Sequence, residues 1–270
     1  MIPAVLLCCT MLAACAGVAS SQTSSTEPSA RAAFETPEAM LDALEGATRD
    51  LRDFQAQVVY DRVDGVTEDR ERRSGRIVLE QDGATPPRRR FTIAFDRFID
   101  ASGHASPQAQ RFAFADGWLV EFDDARRQAI ERQLVPEGKT LDPLRLGEGP
   151  LPLPVGQRSD DVRRRFAVSM APAPDAPLLK RLEKVQGLVL VPRPGTGVDE
   201  DFAEVRIWYD LVTLAPVGVQ ARMKGGDMKV VLLREVKVNA GLDDAARQLL
   251  RTEVPEGWTR DRRPWRPTQP

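Results

Sequence analysis

Residues 111–122 read Arg-Phe-Ala-Phe-Ala-Asp-Gly-Trp-Leu-Val-Glu-Phe, and they carry the clearest structural signal of the chain. On both sides of Asp116-Gly117 large apolar side chains occupy alternate positions, which is the period of a half-buried strand. Asp-Gly between two such runs predicts a two-residue turn, because both residues tolerate a positive φ. The stretch therefore predicts an antiparallel β-hairpin.

Further strands are predicted on both sides of this hairpin. Runs with alternating apolar residues include residues 54–61, 76–81, 90–99, 205–210 and 217–223. Together they give about ten strands joined by short turns, and an antiparallel sheet of that size curls or closes. Because residues 187–192 and 230–233 are apolar on both faces, we expect one face to be covered and the other to line a second apolar space.

A few helices accompany the sheet. Thr36-Pro37-Glu38 is an N-cap, a first-turn proline and an early acid, and Met40, Leu41 and Leu44 follow at helical spacing. A second short helix is predicted over residues 159–166. Residues 141–156 are rich in Pro, Gly and Leu and predict an irregular, leucine-bearing lid segment.

Composition limits the chemistry. The 270 residues carry a formal net charge of −2, so no global field attracts nucleic acid. No cysteine follows Cys15 and the chain has one histidine, His104, which excludes a zinc site built on several histidines. No phosphate loop, dinucleotide fingerprint or nucleophile elbow is present. We predict no cofactor, no metal and no enzymatic activity.

The N-terminus has the pattern of an export signal. Residues 2–19 contain no charge, and Leu12-Ala13-Ala14-Cys15 resembles the bacterial lipobox. The resemblance implies that residues 1–14 are removed, that Cys15 is acylated, and that residues 15–35 form a flexible tether. Two alternatives remain: an ordinary secretory signal cut after a small residue such as Ala14 or Ala19, and an uncleaved anchor.

Four stretches resemble one family. These are residues 51–56 (LRDFQA), 74–77 (SGRI), 114–120 (FADGWLV) and 188–193 (LVLVPR). In order and spacing they resemble the outer-membrane lipoprotein carrier and sorting proteins of the LolA/LolB-like superfamily. The resemblance implies a mainly β fold with a few helices: a single incomplete antiparallel β-barrel with helices over its concave apolar face. It covers residues 36–260, and residues 261–270 are expected to be a loose tail.

The resemblance also implies an apolar cavity that binds acyl chains of lipoproteins or lipids. Ten apolar residues are candidates to line it, although buried aromatic residues more often simply form the core. They are Phe91, Ile93, Phe95, Trp118, Val120, Phe122, Leu188, Leu190, Trp208 and Met223. Arg90 is a candidate to steer a head group, against the alternative of a solvated arginine. Arg163-Arg164-Arg165 is interpreted as the solvated face of a short helix. The acid pairs Asp123-Asp124, Asp160-Asp161 and Asp243-Asp244 are interpreted as caps in turns or at helix starts.

Three functions are compared. The first is an envelope lipoprotein that faces the periplasm, is anchored to the outer membrane through Cys15 and binds acyl chains. It acts as a monomer in the sorting, acceptance or sensing of lipids or lipoproteins. Because an anchored protein does not travel between membranes, the anchor favours an acceptor or a sensor over a soluble carrier. The second is a non-enzymatic protein that contacts other envelope proteins and has no lipid ligand. The third, a hydrolase, lacks a catalytic constellation.

Overall fold

The computed structural model describes residues 32–83, 88–139 and 157–266. In these residues the chain forms twelve strands and four helices. The strands are β1 Asp53–Val63, β2 Arg70–Gln81, β3 Arg89–Ile99, β4 Ala105–Ala115, β5 Trp118–Asp123, β6 Gln128–Gln133, β7 Phe166–Ala171, β8 Val185–Pro192, β9 Phe202–Asp210, β10 Pro216–Met223, β11 Met228–Val238 and β12 Thr259–Arg263. The helices are α1 Pro37–Thr48, α2 Ser159–Arg165, α3 Val198–Asp201 and α4 Asp244–Leu249.

All twelve strands belong to one sheet. Its order is β12-β6-β5-β4-β3-β2-β1-β11-β10-β9-β8-β7, so two meanders, β1–β6 and β7–β11, are joined where β1 pairs with β11. The sheet is not closed, because β12 and β7 are its two edges. The expected fold class, a mainly β open half-barrel with a few helices, is confirmed.

The pairing of β12 differs from the expectation of an antiparallel sheet. It runs parallel to β6, with Thr259 opposite Gln128 and Arg263 opposite Arg132. No hairpin connects the two strands, and the chain instead crosses the sheet between β11 and β12, so its direction is not set by a turn. Residues 261–263, expected in the loose tail, are therefore part of the sheet.

The local signals that predict the first helix and the central hairpin are confirmed. Thr36 caps α1, and its hydroxyl accepts a hydrogen bond of 3.2 Å from the backbone N–H of Ala39. Asp116 and Gly117 have φ values of 49° and 79°, as a two-residue hairpin turn requires. This turn places β4 and β5 in the predicted register, with Ala115 opposite Trp118.

Both faces of the sheet are covered. The inner face, defined as the one that carries Phe91, Ile93, Leu188 and Leu190, packs against α1 and α2 in one continuous cluster. The outer face is covered in two places: residues 172–184 cover part of the second meander, and residues 242–258, which include α4, cover part of the first. These two covers explain why several strands are apolar on both sides.

Candidate functional site

The inner face is the largest apolar surface of the sheet, and α1 inserts into it. Met40, Leu41 and Leu44 of α1 are buried there. Their partners are inner-face residues from both meanders, so a single cluster crosses the β1–β11 junction. The partners include Phe54, Val58, Ile77, Leu79, Phe91, Ile93, Phe95, Leu188, Leu190, Val205, Ile207, Val219, Val231 and Leu233.

A small apolar cavity of about 30 Å³ remains where α1 meets α2 and strands β8 to β10. Most of its wall is apolar, and its polar residues are Thr48, Gln157 and Tyr209. Its wall consists of Leu41, Leu44, Thr48, Gln157, Val162, Leu188, Leu190, Tyr209, Leu214 and Pro216. Burial raises the pKa of Tyr209, so its hydroxyl stays neutral at physiological pH.

The size of the cavity decides what can enter it. A volume of about 30 Å³ is close to the space that one water molecule takes in the liquid. Pockets that bind drug-sized ligands measure about 300 to 1,000 Å³. As its described walls define it, this cavity can therefore take up an acyl chain only if α1 moves outward.

Polar contacts at its exposed side hold α1 in place. The Glu45 carboxylate accepts hydrogen bonds from the backbone N–H of Ser159 at 2.9 Å and from its hydroxyl at 2.8 Å. These two bonds hold the pKa of Glu45 below its usual value. Asp42 forms an ion pair of 2.7 Å with Arg163, although both side chains are accessible to solvent and such pairs contribute little. Contacts of this kind can open at low cost.

The backbone just before α1 is also fixed to the sheet. The N–H of Phe34 donates to the side-chain oxygen of Gln186 at 2.7 Å, and the amide nitrogen of Gln186 donates to the Phe34 carbonyl at 2.8 Å. Phe34 packs against the inner-face cluster. The start of α1 is therefore anchored to β8. Its far end leads directly into β1, where the Asn239 side chain donates to the Asp50 carbonyl at 3.0 Å.

Six of the predicted apolar site residues lie on the inner face. Phe91, Ile93, Phe95, Leu188 and Leu190 are buried in its cluster, and Met223 is partly buried against it. Only Leu188 and Leu190 line the cavity. Phe91, Ile93 and Phe95 are inner-face core residues under the first meander.

The other four predicted apolar residues lie on the outer face, so they cannot line the same space. Val120 and Phe122 are covered by the chain after α4, where Trp258 meets Phe122 edge-on at 6.2 Å. Trp118 shares their face by strand alternation and stacks under the guanidinium of Arg262.

Trp208 is held on the outer face by a close backbone approach. Its indole N–H donates to the Pro172 carbonyl at 3.0 Å, and it packs against Leu179. A Cβ at Gly187 would lie 2.6 Å from Cδ1 of Trp208, so only glycine leaves room for this ring. The ring thus fixes residues 172–184 to the sheet rather than facing the cavity.

The charged candidates lie away from the cavity. Arg90 forms an ion pair with Glu80, and its side chain is 55% exposed. Arg164 pairs with Asp161 on the surface, as expected, but Arg165 is buried beside the Phe166 ring. Asp243 caps α4 by accepting from Ala246 N–H at 2.7 Å, as predicted for an acid pair at a helix start.

A wider opening of about 660 Å³ lies at the ends of β1 and β2 and is polar. Its groups already bind one another: the Asn239 side-chain oxygen accepts from Arg52 N–H at 2.7 Å, and Asp53 accepts from Gly241 N–H at 3.1 Å. These bonds join the start of β1 to the chain that follows β11. The polar groups that line this opening therefore have a structural role, which is to connect β1 to the chain after β11.

Sequence reasoning missed several residues of the cavity wall as site residues. Leu41 and Leu44 were predicted only as the buried stripe of α1, and Tyr209 only as part of an alternating strand. Val162, Leu214 and Pro216 carry no signal that separates them from other core positions. The predicted lid, residues 141–156, and Cys15 lie outside the described residues.

Two further observations concern the described residues alone. They contain no group of three or more His, Cys, Asp or Glu side chains that could hold a metal ion. None of the four helices in the described ranges is long and apolar enough to cross a bilayer.

Comparison with known proteins finds similarity at the level of solved structures. No model of a protein family matches the chain, and no curated protein sequence matches it. An uncharacterized conserved protein from Thermus thermophilus is 14% identical, with 84% of this chain and 98% of that chain covered and a TM-score of 0.46. A putative outer membrane lipoprotein-sorting protein domain from Vibrio parahaemolyticus is 10% identical (79% and 98% covered, TM-score 0.37). A LolA superfamily protein from Nitrosomonas europaea is 11% identical (78% and 97% covered, TM-score 0.32).

Proposed function

We propose that this chain is a non-enzymatic protein of the bacterial envelope that binds an acyl chain of a lipoprotein or lipid between α1 and strands β8 to β10. The observation that carries the proposal is the apolar cavity at the edge of α1, which is walled by leucines from the helix and from the sheet. An outward shift of α1 enlarges this space without breaking the sheet, because α1 contributes no strand pairing.

The hydrophobic effect supplies the affinity. Each buried methylene contributes about 0.8 kcal/mol, so a chain of about 14 carbons gains on the order of 10 kcal/mol before ordering costs. As α1 moves outward, Leu41 and Leu44 can contact the acyl chain instead of the sheet, so their apolar area stays out of water. Opening also breaks the contacts of Glu45 and Asp42 with α2.

In this proposal, Cys15 determines where in the cell the protein is located. Acylation of Cys15 would anchor the chain to the outer membrane facing the periplasm, and residues 15–35 would tether the domain. A tethered monomer of this kind accepts or senses acyl chains rather than carrying them between membranes.

Native mass spectrometry of the chain carrying Cys15→Ala tests the proposal. We expect bound lipid after expression in a bacterium, and its loss in Leu190→Phe, because the larger ring occupies the cavity and presses on α1. Leu232→Phe is the matched control, since Leu232 is also buried but lies on the outer face. Absence of lipid in the parent protein, or equal loss in both variants, would contradict acyl binding at this site.

The second candidate is a protein that uses the same scaffold for contacts with envelope proteins and binds no lipid. The small cavity favours it, because about 30 Å³ accommodates no acyl chain unless α1 moves. Amide hydrogen exchange separates the two functions. If added fatty acids of any length leave the exchange of Leu41 and Leu44 unchanged, the second candidate replaces the first.

A further inference from the structure

The two edges of the sheet differ in how they are protected. β12 has the sequence Thr-Arg-Asp-Arg-Arg, and charged side chains on an edge strand oppose pairing with another chain. β7 has the sequence Phe-Ala-Val-Ser-Met-Ala, with no charge, no proline and no bulge. In the described part of the chain, β8 is its only strand partner.

The hydrogen-bond pattern shows which backbone groups of β7 point outward. Arg193 N–H donates to the Arg165 carbonyl at 2.8 Å, one step beyond the pair of Phe166 with Pro192. In an antiparallel ladder the bonded pairs alternate, so Ala167 and Ser169 face β8. Val168 and Met170 then direct their N–H and C=O groups away from the sheet.

A second observation supports this assignment. Phe166 has the same parity as Val168, and its N–H donates to the Val162 carbonyl at the end of α2 rather than to β8. Towards the residues that the structure describes, the outer edge of β7 therefore presents two donors and two acceptors in the spacing of a strand.

This edge adjoins the proposed acyl site. Val168 lies opposite Leu190 and Met170 opposite Leu188, and both leucines line the cavity. Val168 and Met170 are partly buried against the same inner-face cluster. A strand added to β7 would lie about 10 Å from β8, two strand spacings away.

We propose that the free edge of β7 binds an extended, uncharged peptide segment by β-strand addition, so that the ligand is an acylated polypeptide and not a free lipid. This inference rests on the proposed acyl site for the lipid part of the ligand. Main-chain hydrogen bonds to Val168 and Met170 give the peptide its affinity. β7 carries no charged side chain with which a charged residue of the peptide could pair.

The length of β7 argues for a peptide over a second copy of the chain. Six residues span about 20 Å as a strand. A stable dimer buries about 800 Å² per partner, far more than one such strip provides. An extended peptide needs only the strand itself and a contact for its acyl group.

The test uses the full chain carrying Cys15→Ala and three probes: hexadecanoate, an uncharged peptide of alternating Thr and Ser, and the same peptide with an N-terminal hexadecanoyl group. We expect the acylated peptide to bind roughly tenfold more tightly than hexadecanoate, because hydrogen bonds to β7 are added. Val168→Pro removes an outward N–H that an edge strand can lose, so it should abolish the difference and leave hexadecanoate binding unchanged. Ser169→Thr, on the same strand, should behave like the parent.

A second measurement does not depend on any variant. The amide protons of Val168 and Met170 should exchange more slowly when the acylated peptide is bound, and not when hexadecanoate is bound. Equal affinity for the two ligands, or no protection of these amides, overturns the proposal. So does a dimer in sedimentation that Val168→Pro dissociates, because the edge would then bind a second copy.

Failure of the proposed acyl site gives a different result. If hexadecanoate does not bind but both peptides bind and Val168→Pro abolishes their binding, the edge is a peptide site and the acyl function is wrong.

Discussion

At the scale of single residues, Glu45 connects two helices. It belongs to α1, but its carboxylate accepts the first backbone N–H of α2 and the hydroxyl of Ser159. The residue before α2, Arg158, provides no side-chain cap, so Glu45 takes that role from a distant part of the chain. The sequence could not predict this contact, because 114 positions separate its partners.

Replacement of Glu45 should loosen α1 in a pH-dependent way. Hydrogen bonds from Ser159 lower the pKa of Glu45 in the folded chain, so its contribution is present above the unfolded pKa and is lost as pH falls through the folded pKa. We expect Glu45→Ala to reduce the free energy of unfolding by about 1 kcal/mol at pH 7. The loss should shrink below about pH 4.

Urea unfolding of the parent and of Glu45→Ala, at pH 7 and below about pH 4, measures how the loss of stability depends on pH. Glu38→Ala is the control, because Glu38 is exposed in the first turn of the same helix. An equal loss for Glu45→Ala at neutral and acid pH would show that packing, not the carboxylate, causes it.

Arg111 fixes the C-terminal chain to the outer face. Its guanidinium lies 3.7 Å from the centre of the Phe122 ring and donates to the carbonyls of Leu249, at 2.8 Å, and Arg251. Arg111→Lys keeps the charge but loses the planar stack and the paired donors, so we expect a loss of about 1 to 3 kcal/mol of stability.

Thermal unfolding of Arg111→Lys, followed by circular dichroism, tests this role. Arg126→Lys is the control, since Arg126 is 78% exposed in the β5–β6 turn and its replacement should change stability by less than about 0.5 kcal/mol. If the two variants unfold at the same temperature, the contacts of Arg111 contribute nothing measurable.

At the scale of elements, sequence patterns predicted what local chemistry controls. Asp116-Gly117 and Thr36-Pro37 specified a turn and a helix start, and both are present. β7 and β12 were not predicted: β7 is short and begins directly after α2 with no turn signal between them, and β12 is almost entirely charged. Their strand identity comes from a neighbour in the sheet, which the sequence does not display locally.

Movement of α1 predicts a dependence of affinity on chain length. Opening the site costs a fixed free energy, whereas each additional methylene contributes about 0.8 kcal/mol. We therefore expect the dissociation constant of saturated fatty acids to fall about fourfold per added carbon until the space under α1 is filled, with no measurable binding of the shortest chains.

Titration calorimetry with fatty acids of increasing length measures this slope for the chain carrying Cys15→Ala. Leu190→Phe should flatten it, and Leu232→Phe on the outer face should not. Affinity that is independent of chain length would mean that the head group alone is bound, and would exclude α1 as the cover of an acyl site.

At the scale of the whole molecule, strand alternation alone did not predict on which face of the sheet each site residue lies, or what covers that face. Apolar residues on both faces of a strand indicated a second apolar space, and the structure instead covers both faces with the chain's own segments. Val120 and Leu188 look alike in the sequence, yet they lie on opposite faces. One cover is irregular and rich in proline, and the other contains only the six-residue helix α4, so neither has a long periodic pattern that would predict it.

The two meanders should nevertheless unfold as one unit. The inner-face cluster crosses the β1–β11 junction, where Val231 of β11 lies opposite Tyr60 of β1 and is fully buried. Slowly exchanging amides of β2 and β3 should therefore report the same free energy of opening as those of β9 and β10. Val231→Ala should lower both values equally, by about 1 to 3 kcal/mol, because it removes methyl groups from the shared core. Val238→Ala, at the more exposed end of the same strand, should leave both free energies unchanged. A loss of stability confined to one meander would show that the two meanders unfold as separate domains.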